Sequence, residues 1–196
     1  MTTLLTILTP GFADWETALL NAGAREYYRL DTRFATPGGE PVTSAGGLRL
    51  APQLAIEEIN PTNYDALLVN GGSIWQQPDG PDLTKLLQSA QAAGVVIGGI
   101  CDGVIPLARA GLLDDRRHTA NGPESLPQTG YGGGAFFIGS PRAILDRGII
   151  TAPGTAPVSF MGAVLEALGL RTGDLDFYLG LYAAEHHAGA SSVGPS

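Results

Sequence analysis

Val95-Val96-Ile97-Gly98-Gly99-Ile100-Cys101-Asp102-Gly103 is the stretch that decides the fold. Its first six residues are an unbroken apolar run, which is what a strand buried on both faces requires. A helix from Cys101 to Ala110 follows at once, so the chain turns from strand to helix inside Gly99-Ile100-Cys101-Asp102-Gly103. Ala66-Leu67-Leu68-Val69-Asn70 repeats the pattern upstream: it runs into Gly71-Gly72, and after a loop holding Trp75 and Pro78 the sequence predicts a helix from about Asp82 to Ala93. Nearer the start, Thr3 to Thr9 reads as a strand closed by Pro10-Gly11, with Asp14 opening a helix to about Tyr28. Asp31 to Thr36 is a further strand, and Val42 to Leu50 around Gly46-Gly47 predicts a small hairpin. Arg117-His118-Thr119 and Gly148 to Thr151 read as later strands, Ala156 to Leu168 as a helix, and Gly122 to Gly134 as a loop.

Short apolar strands alternating with helices predict a mostly parallel sheet covered on both faces, a three-layer α/β/α sandwich, because each crossover lays its helix on the sheet. The 196 residues are 44% hydrophobic, enough for one domain with a substantial core. That domain is expected over residues 1–170, followed by an extension over 171–196 whose end is loosely ordered. Within the extension, Asp176 to Tyr182 is too apolar for a tail and reads as a docking helix or dimer contact.

A formal charge of −8 without a basic cluster argues against nucleic acid or an anionic membrane surface as a partner. No stretch reaches the roughly 18 apolar residues of a membrane span, and the first residues lack a secretory pattern, so a cytoplasmic location is expected. Small molecules are the expected partners. The single cysteine excludes an internal disulfide and a cysteine-rich zinc site, and no metal is expected. Cys101 is left with packing or chemistry.

In an open α/β sheet, ligands bind where strands end. Gly99-x-Cys101-x-Gly103 has the spacing of a nucleophile elbow, in which small residues on either side let a strained turn close around an exposed nucleophile. A thiol at a helix start also meets amide donors that favour thiolate. The amides of Gly72 and Asp102 are candidates for an oxyanion hole. Glu16 sits in the turn after the first strand, where the residues alone favour a helix-start carboxylate. Trp15 and Trp75 flank these loops, as pocket lining or as core.

Taken together, Gly11-Phe12 through Glu16, Asn70-Gly71-Gly72 and Gly99-Ile100-Cys101-Asp102-Gly103, with Ala108-Arg109-Ala110-Gly111-Leu112-Leu113 behind it, resemble the ThiJ/PfpI superfamily. The resemblance covers Leu4 to about Leu170. It implies a class I glutamine amidotransferase-like, flavodoxin-like fold with Cys101 as nucleophile, Glu16 as an acidic partner donating a hydrogen bond to the thiolate, and Gly72 in the oxyanion hole. It also implies stress-response chemistry on a small electrophile, carbonyl or C–N bond, no cofactor, and a homodimer. The alternative is a redox sensor in which oxidised Cys101 alters an interface without turnover.

Two departures matter. Protease-like members carry His after the nucleophile, whereas Asp102 stands there and cannot act as an imidazole base, so peptidase activity is not expected. Glyoxalase-like members place a His a little past the Arg116-Arg117 region, where Asn121 aligns, with His118 close by. On a regular strand these two would face opposite sides, so only a bulge would bring both to the site.

Overall fold

The apolar runs become the central strands. In a computed structural model describing residues 1–78, 80–126 and 130–188, strands β1 (Thr3–Ile7), β2 (Asp31–Thr36), β5 (Leu54–Ala55), β6 (Ala66–Val69), β7 (Val96–Ile100), β8 (Ile144–Asp146) and β9 (Ile149–Ala152) form one sheet. Their order is β5-β2-β1-β6-β7-β9-β8, parallel throughout except for β8, which runs antiparallel to β9 at one edge. The predicted hairpin is present as β3 (Val42–Thr43) and β4 (Arg49–Leu50), paired apart from the main sheet.

Period-two alternation divides the core. Leu5, Ile7, Leu67, Val69 and Ile97 pack with Leu87 and Ala90 of α2 (Thr84–Ala92) and Val104 and Leu107 of α3 (Val104–Arg109). Leu4, Ala66 and Leu68 point the other way. They meet Leu20 and Ala24 of α1 (Asp14–Tyr28) and Phe160, Met161, Val164 and Leu165 of α4 (Pro157–Ala167). These are the three layers that the sequence predicts.

Two sequence expectations need correction. Arg117 to Thr119 is not a strand: it makes one isolated bridge, His118 to Phe137, and then enters the Gly- and Pro-rich loop, which supplies no ladder to extend. The helix after Cys101 begins as a 3-10 turn over Cys101–Gly103, so α3 is only six residues long. Helix α5 (Gly173–Ala188) buries Leu175 and lays Leu179 against the α4 side of the core. Asp176 to Tyr182 belongs to it, while residues 189–196, at the end expected to be loosely ordered, lie outside the described residues. No helix among the described residues is long and apolar enough to cross a membrane.

Candidate active site

The strand ends converge on Cys101. Leaving β7, the chain gives Cys101 a backbone φ of 57°, the left-handed region that L residues avoid at a cost of roughly 1–2 kcal/mol. Strain of this kind presents the side chain at the sheet's carboxyl edge instead of burying it, and Cys101 is half-buried and free. The elbow spacing is therefore realised as a strained turn.

Glu16, in the first turn of α1, is fully buried. Its Oε2 accepts a hydrogen bond from the Gly71 amide at 2.7 Å, while Oε1 is buried without a hydrogen-bond partner. Asn70 fixes this arrangement. Its Nδ2 donates to the carbonyls of Ala13 and Gly71, each at 3.0 Å, and its Oδ1 accepts from Thr17 Oγ1 at 2.7 Å. The start of α1 is thus tied to the loop after β6, which sets the height of Glu16 against the sulfur.

Asn121 approaches from the other side. Its Oδ1 accepts from the Gly154 amide at 2.9 Å, which turns its Nδ2 toward Cys101 Sγ at 3.1 Å and Asp102 Oδ1 at 3.4 Å. Gly154, in the turn after β9, closes the site. A Cβ there would lie 3.0 Å from Cys101 Sγ and 3.1 Å from Glu16 Oε1, so any side chain would crowd both groups. The Gly154 carbonyl accepts from Trp15 Nε1 at 3.1 Å, leaving the indole 56% exposed on the rim. Trp75 is different: it is fully buried, with Nε1 donating to the Asn70 carbonyl at 2.8 Å, and is a core residue.

His118 does not join the cluster. It is fully buried, its Nδ1 lies 2.7 Å from the Arg116 carbonyl, and its ring meets Tyr131 and Phe137 edge-on at 5.5 and 5.7 Å. Of the two, Asn121 and not His118 reaches Cys101, and it does so from a loop, where strand alternation does not apply. Sequence reasoning missed Gly154 and gave Asn70 no role beyond its place in a motif, although the strand-end rule that found Gly71-Gly72 applies equally to Pro153-Gly154 after β9. Among the described residues no three His, Cys, Asp or Glu side chains gather as a metal site.

Burial dominates the electrostatics. It pushes the Glu16 carboxyl up to about 7, against the neighbouring Cys101 thiol and Gly71 amide, which lower it. Burial also pushes the Cys101 thiol up to about 11. The Asn121 hydrogen bond and the Asp102 amide pull it down, and the Glu16 charge pushes it up. The sequence expectation of a thiolate favoured by the helix start is therefore corrected. Desolvation and Glu16 outweigh the Asn121 and Asp102 donors that favour thiolate. What the pair gains instead is a first ionisation near neutral pH with the carboxyl and thiol in contact, which suits proton transfer between them. Because the two interact, the first ionisation near 7 belongs to the pair.

A cysteine elbow with a buried acidic partner at the carboxyl edge of a mostly parallel, three-layer sheet defines the class I glutamine amidotransferase-like fold. Within it, the DJ-1/PfpI family profile matches residues 2–167, and the chain belongs to that family. It is 39% identical to the DJ-1 superfamily protein Atu0886 from Agrobacterium tumefaciens, with a TM-score of 0.90 over 95% of this chain and 100% of that one. The ThiJ/PfpI family protein from Bacillus anthracis aligns with a TM-score of 0.83 at 28% identity, covering 94% of this chain and 92% of its own. Among curated relatives, the uncharacterized protease YoaZ of Bacillus subtilis is 30% identical over 167 residues, 80% of this chain and 78% of its own. The glutathione-independent glyoxalase DJR-1.2 of Caenorhabditis elegans is 28% identical over 133 residues, 65% and 68% of the two chains.

Proposed function

We propose that Cys101 is the nucleophile of an enzyme acting on small reactive carbonyl compounds, with Glu16 as its proton acceptor. One observation carries this reading: the only thiol of the chain stands in a strained elbow between Glu16 and the Asn121 amide. The name of the worm relative, a glutathione-independent glyoxalase, supports a 2-oxoaldehyde as the substrate class. In the first step Cys101 Sγ bonds to the aldehyde carbon and the carbonyl π pair moves to oxygen. The thiol proton passes to Glu16, which returns it to that oxygen to give a hemithioacetal. The amides of Asp102 and Gly72 are the donors proposed for the developing oxyanion. Peptide hydrolysis fits less well. Asp102 follows the nucleophile where an imidazole base would stand, and His118 is held in the core.

Intact-mass analysis tests the reading directly, since one cysteine makes every thiol adduct assignable. Methylglyoxal is expected to give a transient adduct on Cys101 that decays as a hydroxy acid accumulates. A stable oxygen gain on Cys101 with peroxide, with no adduct and no product from methylglyoxal, would instead establish a sensor.

A further inference from the structure

Among the described residues, the ionisable side chains found against the Cys101 thiol are two carboxyls, Asp102 and Glu16. Asp102 follows Cys101 directly and is half-buried beside it. Its Oδ2 accepts from Gln76 Nε2 at 2.7 Å and its Oδ1 from Asn121 Nδ2 at 3.4 Å. Both partners are neutral amides, which fix the carboxylate without cancelling its charge, and no ion pair among the described residues includes it. The Asn121 nitrogen that touches Asp102 also touches Cys101 Sγ at 3.1 Å, so carboxylate and sulfur share one donor. Behind the sulfur lies Glu16, fully buried and with Oε1 unpartnered. Gln76 is exposed, in the 3-10 turn Ser73–Gln76 after Gly72, so the Gln76–Asp102 pair faces the solvent from which a substrate arrives.

We propose that Asp102, held by Gln76 and Asn121, is a charge filter that admits uncharged or cationic small electrophiles to Cys101 and turns away those carrying a carboxylate. The proposal rests on the nucleophile reading above and narrows its substrate class to neutral carbonyl compounds such as methylglyoxal, against anionic ones such as glyoxylate. An anion approaching Sγ meets an uncompensated like charge a few ångströms away. In partly solvated surroundings that repulsion changes a rate by roughly three- to tenfold, and salt weakens it.

Iodoacetamide and iodoacetate isolate this effect, because they transfer the same carbon with the same leaving group and differ by one charge. The ratio of their rates at Cys101 is measured in the native protein and normalised to the ratio in the urea-unfolded chain. The native ratio is expected to favour iodoacetamide by roughly three- to tenfold over the unfolded one and to shrink as salt rises. Asp102→Asn keeps an acceptor for Gln76 and removes the charge, so it should bring the ratio close to the unfolded value. Gln76→Lys, which sets a cation against Asp102, should do the same and carries the test if Asp102→Asn does not fold. A native ratio equal to the unfolded one, or one unchanged in both variants, overturns the filter. Absence of methylglyoxal turnover together with a ratio that falls in Asp102→Asn would sink the catalytic reading and leave the filter standing. Turnover with an unchanged ratio would sink the filter alone.

Discussion

Alkylation of Cys101 by iodoacetamide is expected to rise with pH through about 7 in the wild-type protein and to lose that rise in Glu16→Leu. Below about 7 both members of the pair hold their protons. Above it Glu16 is ionised and can accept the thiol proton as sulfur attacks, even though the thiol alone is pushed up to about 11. Leucine keeps the burial and removes the acceptor, so the inflection should move to the thiol's own, higher titration. Each unit of that move lowers the reactive fraction tenfold, and the rate at pH 8 is expected to fall by about tenfold or more. Glu16→Gln, which retains a donor toward sulfur, should fall less. A Glu16→Leu protein that reacts faster than wild type at pH 8 would mean that the carboxylate only repels the thiolate. The same variant carries a stability signature. Glu16 is raised from 4.5 to about 7, so the folded state binds more protons than the unfolded one across that interval. Wild-type stability should therefore decline as pH rises from 4.5 through about 7, and Glu16→Leu should lose that decline.

The second large effect concerns the elbow's packing. Gly103→Ala is expected to destabilise the protein by about 3 kcal/mol, lowering Tm by roughly 6–12 °C in a chain of this size. A Cβ at Gly103 would collide with the Val69 carbonyl oxygen and lie 2.9 Å from its carbon and 3.0 Å from the Asn70 carbonyl carbon. These are backbone atoms at the end of β6, a central strand bonded on both sides, and they cannot swing aside. Alanine would gain about 0.4–1 kcal/mol by restricting the unfolded chain, too little to offset the overlap. Position 103 has a φ of −62°, so the requirement is for space and not for unusual backbone geometry. Thermal melting within about 2 °C of wild type would show that the turn has room to relax.

The fold was legible because its central strands are apolar runs bounded by turn residues, as at Ala66–Val69 before Gly71-Gly72 and Val96–Ile100 before Cys101. The edge strands were not. Leu54–Ala55 and Ile144–Asp146 are two and three residues long, too short to show a period, and they exist because β2 and β9 offer a free edge. The site divides in the same way. Cys101 and Asp102 lie within one contiguous motif. Glu16 needed a family resemblance, because an acidic residue in a helix's first turn is ordinary by itself. Asn70 and Gln76 lie in the loop after β6 and Gly154 in the turn after β9, segments that meet only after the sheet has formed, and their types are common in turns anywhere. Asn121 was reached by alignment, and its contact with sulfur depends on the Gly154 amide that orients it. The thiol's electrostatics were misread for a related reason. Helix position is local and visible in sequence, whereas desolvation is set by everything packed around the residue.

The most direct measurement is the steady-state conversion of methylglyoxal to a hydroxy acid at pH 8 by the wild-type protein and by Cys101→Ser, followed by loss of substrate carbonyl and by product chirality. If Cys101 carries the reaction, the wild-type protein turns over many equivalents of substrate and forms one enantiomer in excess. Serine, a far weaker nucleophile beside the same Glu16, is expected to be slower by at least about 100-fold. Equal rates in the two proteins, or consumption of no more than one equivalent by the wild type, would contradict a cysteine-dependent enzyme.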